Sequence, residues 1–329
     1  MSSAALVPSR SRVIAFALSL AAVLVLAEIA ARVAGFGEPP LVILDDEIEY
    51  YLVPHREYHR FGKTYRINGH SMRSDDIGGA NGSPGSTFAI LGDSVVYGPG
   101  IDQDATVAKR LQNMLRARRP PPAEAIAHGS ARGGDIHVLS IAASSWGPEN
   151  ILAFYRRFGP FSGNTAWIVQ SSHDMADVMR RPSEPPPYRS APPMGALHDA
   201  LSGVVGAIAA RLRPATLPAA DDAADRAHAE AALVGLIERL KKDYGRVVLV
   251  FHATKHEALS KVSEGDTHFR RIAGRTGIDY LSMLGPYSAA YQAGTPPHFD
   301  DIHLNESGAR LLARLLNASM DTARSGNRH

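Results

Sequence analysis

Five short apolar segments constrain the fold of this 329-residue chain more than any other feature. Each segment is four to six residues long and consists mainly of apolar residues. Continuous apolar runs of this length are typical of strands that are buried on both faces of a parallel sheet. The segments are residues 88–91, 138–142, 167–170, 246–251 and 278–283.

Amphipathic helical patterns fill the stretches between these segments. Asn305 and Glu306 suit the N-cap and the first turn of the last helix. Strands that alternate with helices predict a parallel sheet covered on both sides, so we expect a three-layer α/β/α domain with a five-stranded parallel sheet over residues 87–325. The apolar positions that share a helical face are Val107, Leu111, Met114 and Leu115; Ile151, Leu152, Tyr155 and Phe158; Ala229, Leu233, Leu236, Ile237 and Leu240; and Leu311, Leu312, Leu315 and Leu316.

The N-terminal segment indicates the location of the chain. Arg10 and Arg12 precede an apolar run over residues 13–27. Positive charge before an apolar run is typical of an export signal, or of an anchor whose N-terminus stays inside the cell. The pattern predicts that everything downstream lies outside the cytoplasm.

The length of the apolar run leaves more than one outcome open. The run has 15 residues, fewer than the roughly 20 that span a bilayer as a helix. Continuing it to Val33, with Glu28 and Arg32 snorkelling at the far interface, brings it near that length. We therefore predict a signal-anchor or transmembrane segment over residues 1–33, in the inner membrane with a periplasmic catalytic domain. The alternatives are a signal that is cleaved to give a secreted protein, and a buried helix of a soluble protein.

Two further stretches lack a regular pattern. Residues 34–86 contain Gly- and Pro-rich segments, which predict a stalk or cap that leads into the domain. Residues from about 180 to 225 are rich in Pro and Ala, which predicts an insertion or lid within the domain rather than a second domain.

Charge and cysteine content exclude several function classes. The 35 basic and 33 acidic residues leave a formal net charge of +2, and no basic run suited to a nucleic-acid backbone is present, so we expect no nucleic-acid partner. The chain contains no cysteine. Disulfides, thiolate catalysis and thiolate-ligated zinc are therefore excluded.

Catalytic residues are expected just after the strands, because ligands bind beyond the carboxyl ends of an open parallel sheet. The first strand is followed by Gly92, Asp93 and Ser94. Glycine permits a sharp turn there, and a serine hydroxyl at the start of a helix has backbone N–H groups nearby that can hold negative charge. The tripeptide alone is weak support, because such sequences are common in turns.

A second polar group lies just before the last helix. Asp300 and His303 are three residues apart on a loop, close enough for the carboxylate to orient the imidazole. A serine nucleophile needs a base within hydrogen-bond reach and a partner that fixes the tautomer of that base. A metal site that adds His298 and Asp301, or a purely structural turn, would also explain these residues.

Together, the two groups resemble the motifs of the SGNH, or GDSL, hydrolase superfamily. The early block is Leu91 to Ser94, and the late Asp-x-x-His block is Asp300 to His303. With the α/β pattern between them, the resemblance covers about residues 85–320. It implies a flavodoxin-like sheet, Ser94 as the nucleophile, His303 as the base and Asp300 as its orienting partner, with no metal or organic cofactor.

The two middle blocks of the superfamily are altered in this chain. The second block supplies a glycine N–H to the oxyanion, and Ala142 takes its place here, or Ala143 with an offset of one residue. A backbone N–H survives this exchange if the local conformation suits alanine. The third block supplies an asparagine, and His173 stands there, with Asp174 positioned to set its tautomer. The predicted oxyanion donors are Ser94, Ala142 and His173.

Other candidates have weaker support. Tyr97 and Trp146 follow their strands closely and are predicted either to line the substrate site or to pack. Asn68 and Arg73 lie in a segment that resembles the region before the domain in anchored bacterial members of the superfamily. His252 and His256 have the spacing of paired zinc ligands but lack the accompanying glutamate, so chance explains them better.

The sequence predicts a serine esterase that acts on small-molecule or glycan esters, with acetyl groups favoured. An O-acetyltransferase acting on exopolysaccharide or cell-wall glycan would use the same residues. A glycan-binding or assembly protein that kept the fold without catalysis is the alternative from another class.

Overall fold

The computed structural model describes residues 10–77, 87–118, 136–179, 188–212 and 222–326. These residues form two compact units. The larger contains residues 40–57, 63–77, 87–118, 136–179, 188–190 and 222–326, and the smaller contains residues 10–39, 58–62 and 191–212. This division differs from the predicted boundaries at residues 33 and 86, since much of the predicted stalk belongs to the larger unit.

A five-stranded sheet forms the centre of the larger unit. Its strand order is β6-β5-β7-β8-β9, and every neighbouring pair is parallel. The five predicted strands are confirmed, and the third and fourth are longer than predicted. The strands of the chain are β1 (Val42–Asp45), β2 (Glu49–Leu52), β3 (Arg56–Arg60), β4 (Lys63–Ile67), β5 (Thr87–Gly92), β6 (His137–Ala142), β7 (Gly163–Ser171), β8 (Tyr244–His252) and β9 (Asp279–Ser282).

Helices flank this sheet, which confirms the predicted α/β class. Within the larger unit α3 packs against α10 and α4 packs against α6. The helices are α1 (Arg10–Val33), α2 (Ser94–Tyr97), α3 (Val107–Arg118), α4 (Pro148–Phe158), α5 (Ala196–Leu212), α6 (Asp222–Asp243), α7 (Lys255–Ser260), α8 (Glu264–Thr276), α9 (Leu284–Gln292) and α10 (Glu306–Gly326). Short 3-10 turns cover Gln103–Ala105 and Ser172–Met175.

Four strands of the central sheet, β5 to β8, are mostly buried, as their apolar sequence requires, whereas the edge strand β9 is partly exposed. All six residues of β5 are buried, and Trp167 of β7 stacks on Phe88 with the ring centroids 6.1 Å apart. At the carboxyl edge, Gly92 lies level with Ala142 of β6, and Ser171 lies level with His252 of β8. This edge carries most of the polar residues that the sequence singled out.

The last helix begins as predicted. The Oδ1 atom of Asn305 accepts hydrogen bonds from the backbone N–H groups of Ser307 at 2.9 Å and Gly308 at 3.0 Å. Glu306 lies in the first turn. Asn305 therefore caps α10 and ends the loop that carries Asp300 and His303.

The smaller unit contains α1 and α5. Helix α1 has 24 residues, so the predicted apolar run does continue as a helix to Val33, and it is long and apolar enough to cross a membrane. The Glu28 carboxylate accepts hydrogen bonds from the N–H groups of Ala196 at 3.0 Å and Leu197 at 2.8 Å, and it pairs with Arg32 at 2.8 Å. Glu28 thus caps α5. Residues 180–187 and 213–221 of the predicted insertion, and residues 78–86 of the predicted stalk, lie outside the described residues.

Candidate active site

Ser94, His303 and Asp300 form a continuous chain of hydrogen bonds. The Ser94 hydroxyl lies 3.0 Å from Nε2 of His303, and Nδ1 of the same ring lies 2.7 Å from Oδ2 of Asp300. A carboxylate only accepts hydrogen bonds, so Nδ1 carries the proton and Nε2 is free to accept the serine proton. The sequence predicted this contact between residues more than two hundred positions apart.

Ser94 occupies the first position of α2, directly after β5. Asp93 is the N-cap of this helix, and its Oδ1 accepts from the N–H of Val95 at 2.8 Å. The N–H of a first helical residue has no acceptor within its own helix, so that of Ser94 is suited to a ligand. The Ser94 side chain is largely shielded, since the residue is 8% exposed.

A glycine is needed at position 92 because a side chain would not fit there, and not because the backbone has a positive φ. A Cβ atom at Gly92 would lie 2.6 Å from a methyl carbon of Val96 and 3.1 Å from the carbonyl oxygen of Val169. Gly98, which ends α2, has a positive φ of 73°. The close approach at Gly92 brings the turn that carries Ser94 against β7.

Arg73 fastens the chain that follows Ser94. Its guanidinium donates to the carbonyl oxygens of Tyr97 at 2.9 Å, Gly98 at 2.6 Å and Ile101 at 2.6 Å. Further bonds reach the carbonyl of Thr64 at 2.9 Å and the side chain of Gln103 at 3.2 Å. Arg73 is 1% exposed, and burial lowers its pKa. The residue locks the segment after Ser94.

The loop that carries His303 is held differently, by the carboxylate of its own Asp300. Oδ1 of Asp300 accepts from the backbone N–H groups of Ile302 at 2.9 Å and His303 at 2.7 Å. Partial burial raises the pKa of Asp300, but the bonds from His303 and the backbone outweigh it, so the pKa lies below its ordinary value. Asp300 is therefore ionised near neutral pH, as an orienting partner must be.

Two buried histidines support this loop from beneath. Nε2 of His252 donates to the carbonyl of Ile302 at 2.8 Å, and its Nδ1 accepts from the Tyr287 hydroxyl at 3.0 Å. Nε2 of His298 donates to the carbonyl of Ala253 at 3.1 Å. Burial lowers the pKa of His252 to about 3 and that of His298 to about 4, so both rings are neutral near pH 7.

The alternative interpretations of these histidines do not fit the geometry. His298 points its ring nitrogens at Ala253 and at the Tyr291 hydroxyl, 2.9 Å away, rather than at Asp300 and His303. His256 is exposed on α7, whereas His252 is buried at the end of β8. Among the described residues, no group of three or more metal-ligating side chains could hold an ion.

Ala142 and His173 both lie at the carboxyl edge near Ser94. Ala142 ends β6 and is level with Gly92. His173 lies in the 3-10 turn after β7 and is exposed. Ala143, the alternative donor, is buried beside Ala142. These residues therefore lie at the edge of the sheet that carries Ser94, and their oxyanion roles are a prediction.

Asp174 does not set the tautomer of His173. Its Oδ2 accepts from the backbone N–H of Ser171 at 2.5 Å and from the Ser171 hydroxyl at 3.0 Å. Burial raises the pKa of Asp174 well above its ordinary value, and the charge of Asp93 raises it further. Burial likewise raises the pKa of Asp93 to about 6. Two buried carboxyl groups therefore underlie the site and resist ionisation.

Tyr97 and Trp146 are packing residues in this structure. Tyr97 is 6% exposed, and its ring stacks on Tyr65 with the centroids 6.2 Å apart. Trp146 is 1% exposed, and its Nε1 donates to the carbonyl of Tyr50 at 3.0 Å. Neither ring offers the surface that the predicted substrate role needs, because both are enclosed by protein.

Sequence reasoning undervalued Arg73 and His252. Arg73 was singled out only as part of the segment before the domain, yet it makes five hydrogen bonds, four of them to residues 97–103 after Ser94. The position of His252 directly after an apolar strand was a usable signal. Asn68 organises the neighbouring turn, since its Oδ1 accepts from the N–H groups of His70 at 2.9 Å and Met72 at 3.0 Å.

Comparison with known proteins gives similarity in structure only. No protein-family model matches the chain, and no curated protein matches it. Similar solved structures include a member of the lipolytic G-D-S-L family from Veillonella parvula, with 13% identity, 71% of this chain and 96% of that chain covered, and a TM-score of 0.39. A catalytic mutant of the acetylxylan esterase Axe2 from Geobacillus stearothermophilus has 13% identity, coverages of 71% and 93%, and a TM-score of 0.43.

The psychrotrophic esterase EstA from Pseudoalteromonas sp. is a third similar structure. It has 14% identity, with 73% of this chain and 99% of that chain covered, and a TM-score of 0.39. At these identities and TM-scores, the similarity assigns no activity to this chain.

Proposed function

We propose that this chain is a serine esterase of the SGNH type. Ser94 is the nucleophile, His303 the general base and Asp300 the residue that orients it. The observation that carries the proposal is the unbroken relay from the Ser94 hydroxyl through His303 to Asp300, at 3.0 Å and 2.7 Å. These distances lie within the hydrogen-bond reach that proton transfer requires.

The reaction follows from the protonation states of the relay. Nε2 of His303 takes the Ser94 proton as the oxygen attacks the ester carbonyl, and a tetrahedral oxyanion forms. The imidazolium then gives that proton to the leaving alcohol, which breaks the ester C–O bond and leaves an acyl-Ser94. Water, deprotonated by the same nitrogen, releases the acid and restores the serine. Asp300 stabilises the imidazolium at each stage.

The oxyanion would be held by three donors. The N–H groups of Ser94 and Ala142 belong to the ends of adjacent strands, and His173 belongs to the turn after β7, which neighbours β5 in the sheet. Because such donors are fixed in place before the reaction, removal of one of them costs about 3–4 kcal/mol of transition-state stabilisation. An imidazole in place of an amide makes the rate sensitive to the tautomer and charge of His173.

The site is open enough for an ester that is carried by a large molecule. The Asp300 and His303 side chains are 44% and 27% exposed, so an ester on a bulky molecule could reach the triad. We propose ester-linked acetyl groups, carried by a carbohydrate, as the substrate. We also propose that α1 anchors the chain in a membrane, with the catalytic unit outside the cytoplasm.

Hydrolysis of a short aryl ester tests the activity. We expect the full chain in detergent to hydrolyse 4-nitrophenyl acetate, and Ser94→Ala to lose on the order of 10⁵–10⁶ in kcat. Ser145→Ala, at an exposed serine near the same sheet edge, is the matched control and should retain the activity. Equal activity in Ser94→Ala and wild type would rule out Ser94 as the nucleophile.

Product analysis with an acetylated oligosaccharide tests the finer proposal. Release of free acetate supports an esterase. The acyl-Ser94 intermediate is common to hydrolysis and transfer. If the donor loses its acetyl groups only when an acceptor sugar is added, and the acetyl groups are recovered on that sugar, the chain is a transferase instead.

A further inference from the structure

Helix α5 exposes an apolar stripe. Leu201, Val204, Val205 and Ile208 have the i, i+3, i+4, i+7 spacing of one helical face, and each is more than half exposed. In a soluble domain such a stripe faces the core. Here it faces outward, so a partner of apolar chemistry is required to cover it.

The stripe belongs to the same compact unit as α1 and begins beside its C-terminal end. The first turn of α5 is capped by Glu28, and Ala31 is buried nearby. The most apolar part of α1 carries no buried residue. The first turn of α5 therefore lies at the level where α1 ends, and both helices expose apolar side chains.

Polar and aromatic side chains mark that level as an interface between lipid and water. Phe36 packs edge-on against the exposed Phe61 at 5.0 Å, and the Arg60 guanidinium lies 4.6 Å from the Phe61 ring. Arg60 pairs with Asp199 at 2.5 Å, in the first turn of α5. Arginine side chains near the end of a spanning helix extend to the headgroup level of a membrane.

We infer that the apolar stripe of α5 lies in the headgroup–acyl boundary of the bilayer that α1 spans. The smaller unit is then held by one spanning helix and one interfacial helix. A second copy of the chain is a poorer occupant, because the stripe lies at the depth where α1 leaves the bilayer and lipid already surrounds it. This inference rests on the proposed anchor and is independent of the esterase activity.

The contacts of Glu28 also bear on retention of the N-terminus. Glu28 pairs with Arg32, and the N–H of Gly37 donates to the Asp199 carboxylate at 3.0 Å. Cleavage of a signal on the C-terminal side of Glu28 would remove that residue and with it the cap of α5. The interfacial arrangement therefore requires an N-terminal helix that stays attached.

The cysteine-free sequence permits a depth measurement with single labels. Full-length Val205→Cys and Gly203→Cys chains are labelled with an environment-sensitive fluorophore. They are reconstituted in vesicles of phosphatidylethanolamine and phosphatidylglycerol that carry nitroxide near the headgroup end of the acyl chains. Gly203 is the matched control, because it is exposed on the opposite side of α5 and a Cβ there meets no atom within 4 Å.

We expect at least about twofold stronger quenching at Val205 than at Gly203, as an interfacial helix buries one face about 5–10 Å deep. Leu18→Cys should be quenched by nitroxide deep in the bilayer, and Lys242→Cys by neither probe. Quenching at Val205 no greater than at Lys242 overturns the inference. If Leu18 alone is quenched, the anchor stands and the interfacial helix fails; if Leu18 is not quenched, the proposed anchor fails.

A cross-linking arm tests the competing occupant. Val205→Cys is oxidised in the same vesicles without label. The inference predicts little disulfide-linked dimer, no more than Gly203→Cys gives. Efficient dimer formation at Val205 alone would assign the stripe to a second copy of the chain and overturn the lipid assignment.

Discussion

The two segments that carry the halves of the proposed triad are held in different ways. The Ser94 segment is buried, and the Arg73 guanidinium fastens it by bonds to the carbonyls of Tyr97, Gly98 and Ile101. The Asp300–His303 loop is exposed, folds around its own carboxylate, and rests on the neutral ring of His252. A nucleophile must be fixed against its oxyanion donors, whereas a base loop at the surface must leave room for the substrate and the leaving alcohol. We therefore expect substitutions in the first segment to affect stability most, and substitutions in the second to affect kcat most.

Asp300→Asn is expected to have the largest effect among the supporting residues. Asparagine keeps an oxygen that can accept from the two backbone N–H groups, but it no longer stabilises the imidazolium or fixes its tautomer. We expect kcat for a short aryl ester to fall by about 10³–10⁴ with little change in the free energy of unfolding. Asp301→Asn, the neighbouring exposed carboxylate, is the matched control. A loss of less than tenfold in Asp300→Asn would contradict the role of the relay.

Arg73→Met tests whether the support of the Ser94 segment contributes mainly to stability. The variant leaves several buried carbonyl oxygens without a donor, so the free energy of unfolding is expected to fall by about 3–5 kcal/mol in urea titrations. Arg66→Met is the control, because Arg66 is exposed and pairs with Glu57 at 2.9 Å. We expect that control to lose less than about 1 kcal/mol. Similar losses in both variants would show that burial of Arg73 is unimportant.

Asp93→Asn tests the buried carboxyl groups under the nucleophile. The pKa of Asp93 is raised to about 6 from 3.8, so the folded state holds this proton more tightly than the unfolded state does. The contribution of Asp93 to the free energy of unfolding is therefore fully present below pH 3.8, and it is lost as the pH rises to 6. Asparagine keeps an acceptor for Val95 and never ionises. We expect the variant to gain up to about 3 kcal/mol over wild type between pH 4 and pH 6. A pH-independent difference would contradict the raised pKa.

His252→Phe is expected to have the smallest effect on kcat among these variants. The substitution acts through the loop that carries His303. It removes the donor to Ile302, next to His303, and lets the loop drift from the nucleophile. We expect about a tenfold loss in kcat with a smaller change in KM. His256→Gln, at the exposed histidine on α7, should match wild type. An unchanged kcat in His252→Phe would show that the Asp300 carboxylate alone orders the loop.

The sequence was sufficient for much of the fold and for the contact that joins Ser94, His303 and Asp300. Apolar runs bounded by polar residues located all five central strands, because buried parallel strands leave a continuous apolar signal. Ser94, Asp300 and His303 were found from two short motifs, one directly after a strand and one on the loop before the last helix. Periodicity also marked α3, α4, α6 and α10.

Other features depended on contacts that no local pattern records. Arg73 resembles any surface arginine in sequence, and only the fold brings the carbonyls of Tyr97, Gly98 and Ile101 around it. Trp146 and Tyr97 follow strands, as substrate residues often do, yet they pack in the interior. The cap that Glu28 provides for α5 joins residues about 170 positions apart, so neither helix alone predicts it.

Site-specific labelling tests the central claim most directly. Wild type and His303→Ala are treated with a fluorophosphonate, and the modified residue is identified by peptide mass spectrometry. The account predicts a single modified residue, Ser94, in wild type, and labelling slowed by several orders of magnitude in His303→Ala, because the hydroxyl then lacks its base. Wild type that remains unlabelled, or that is modified at another serine, would contradict the account.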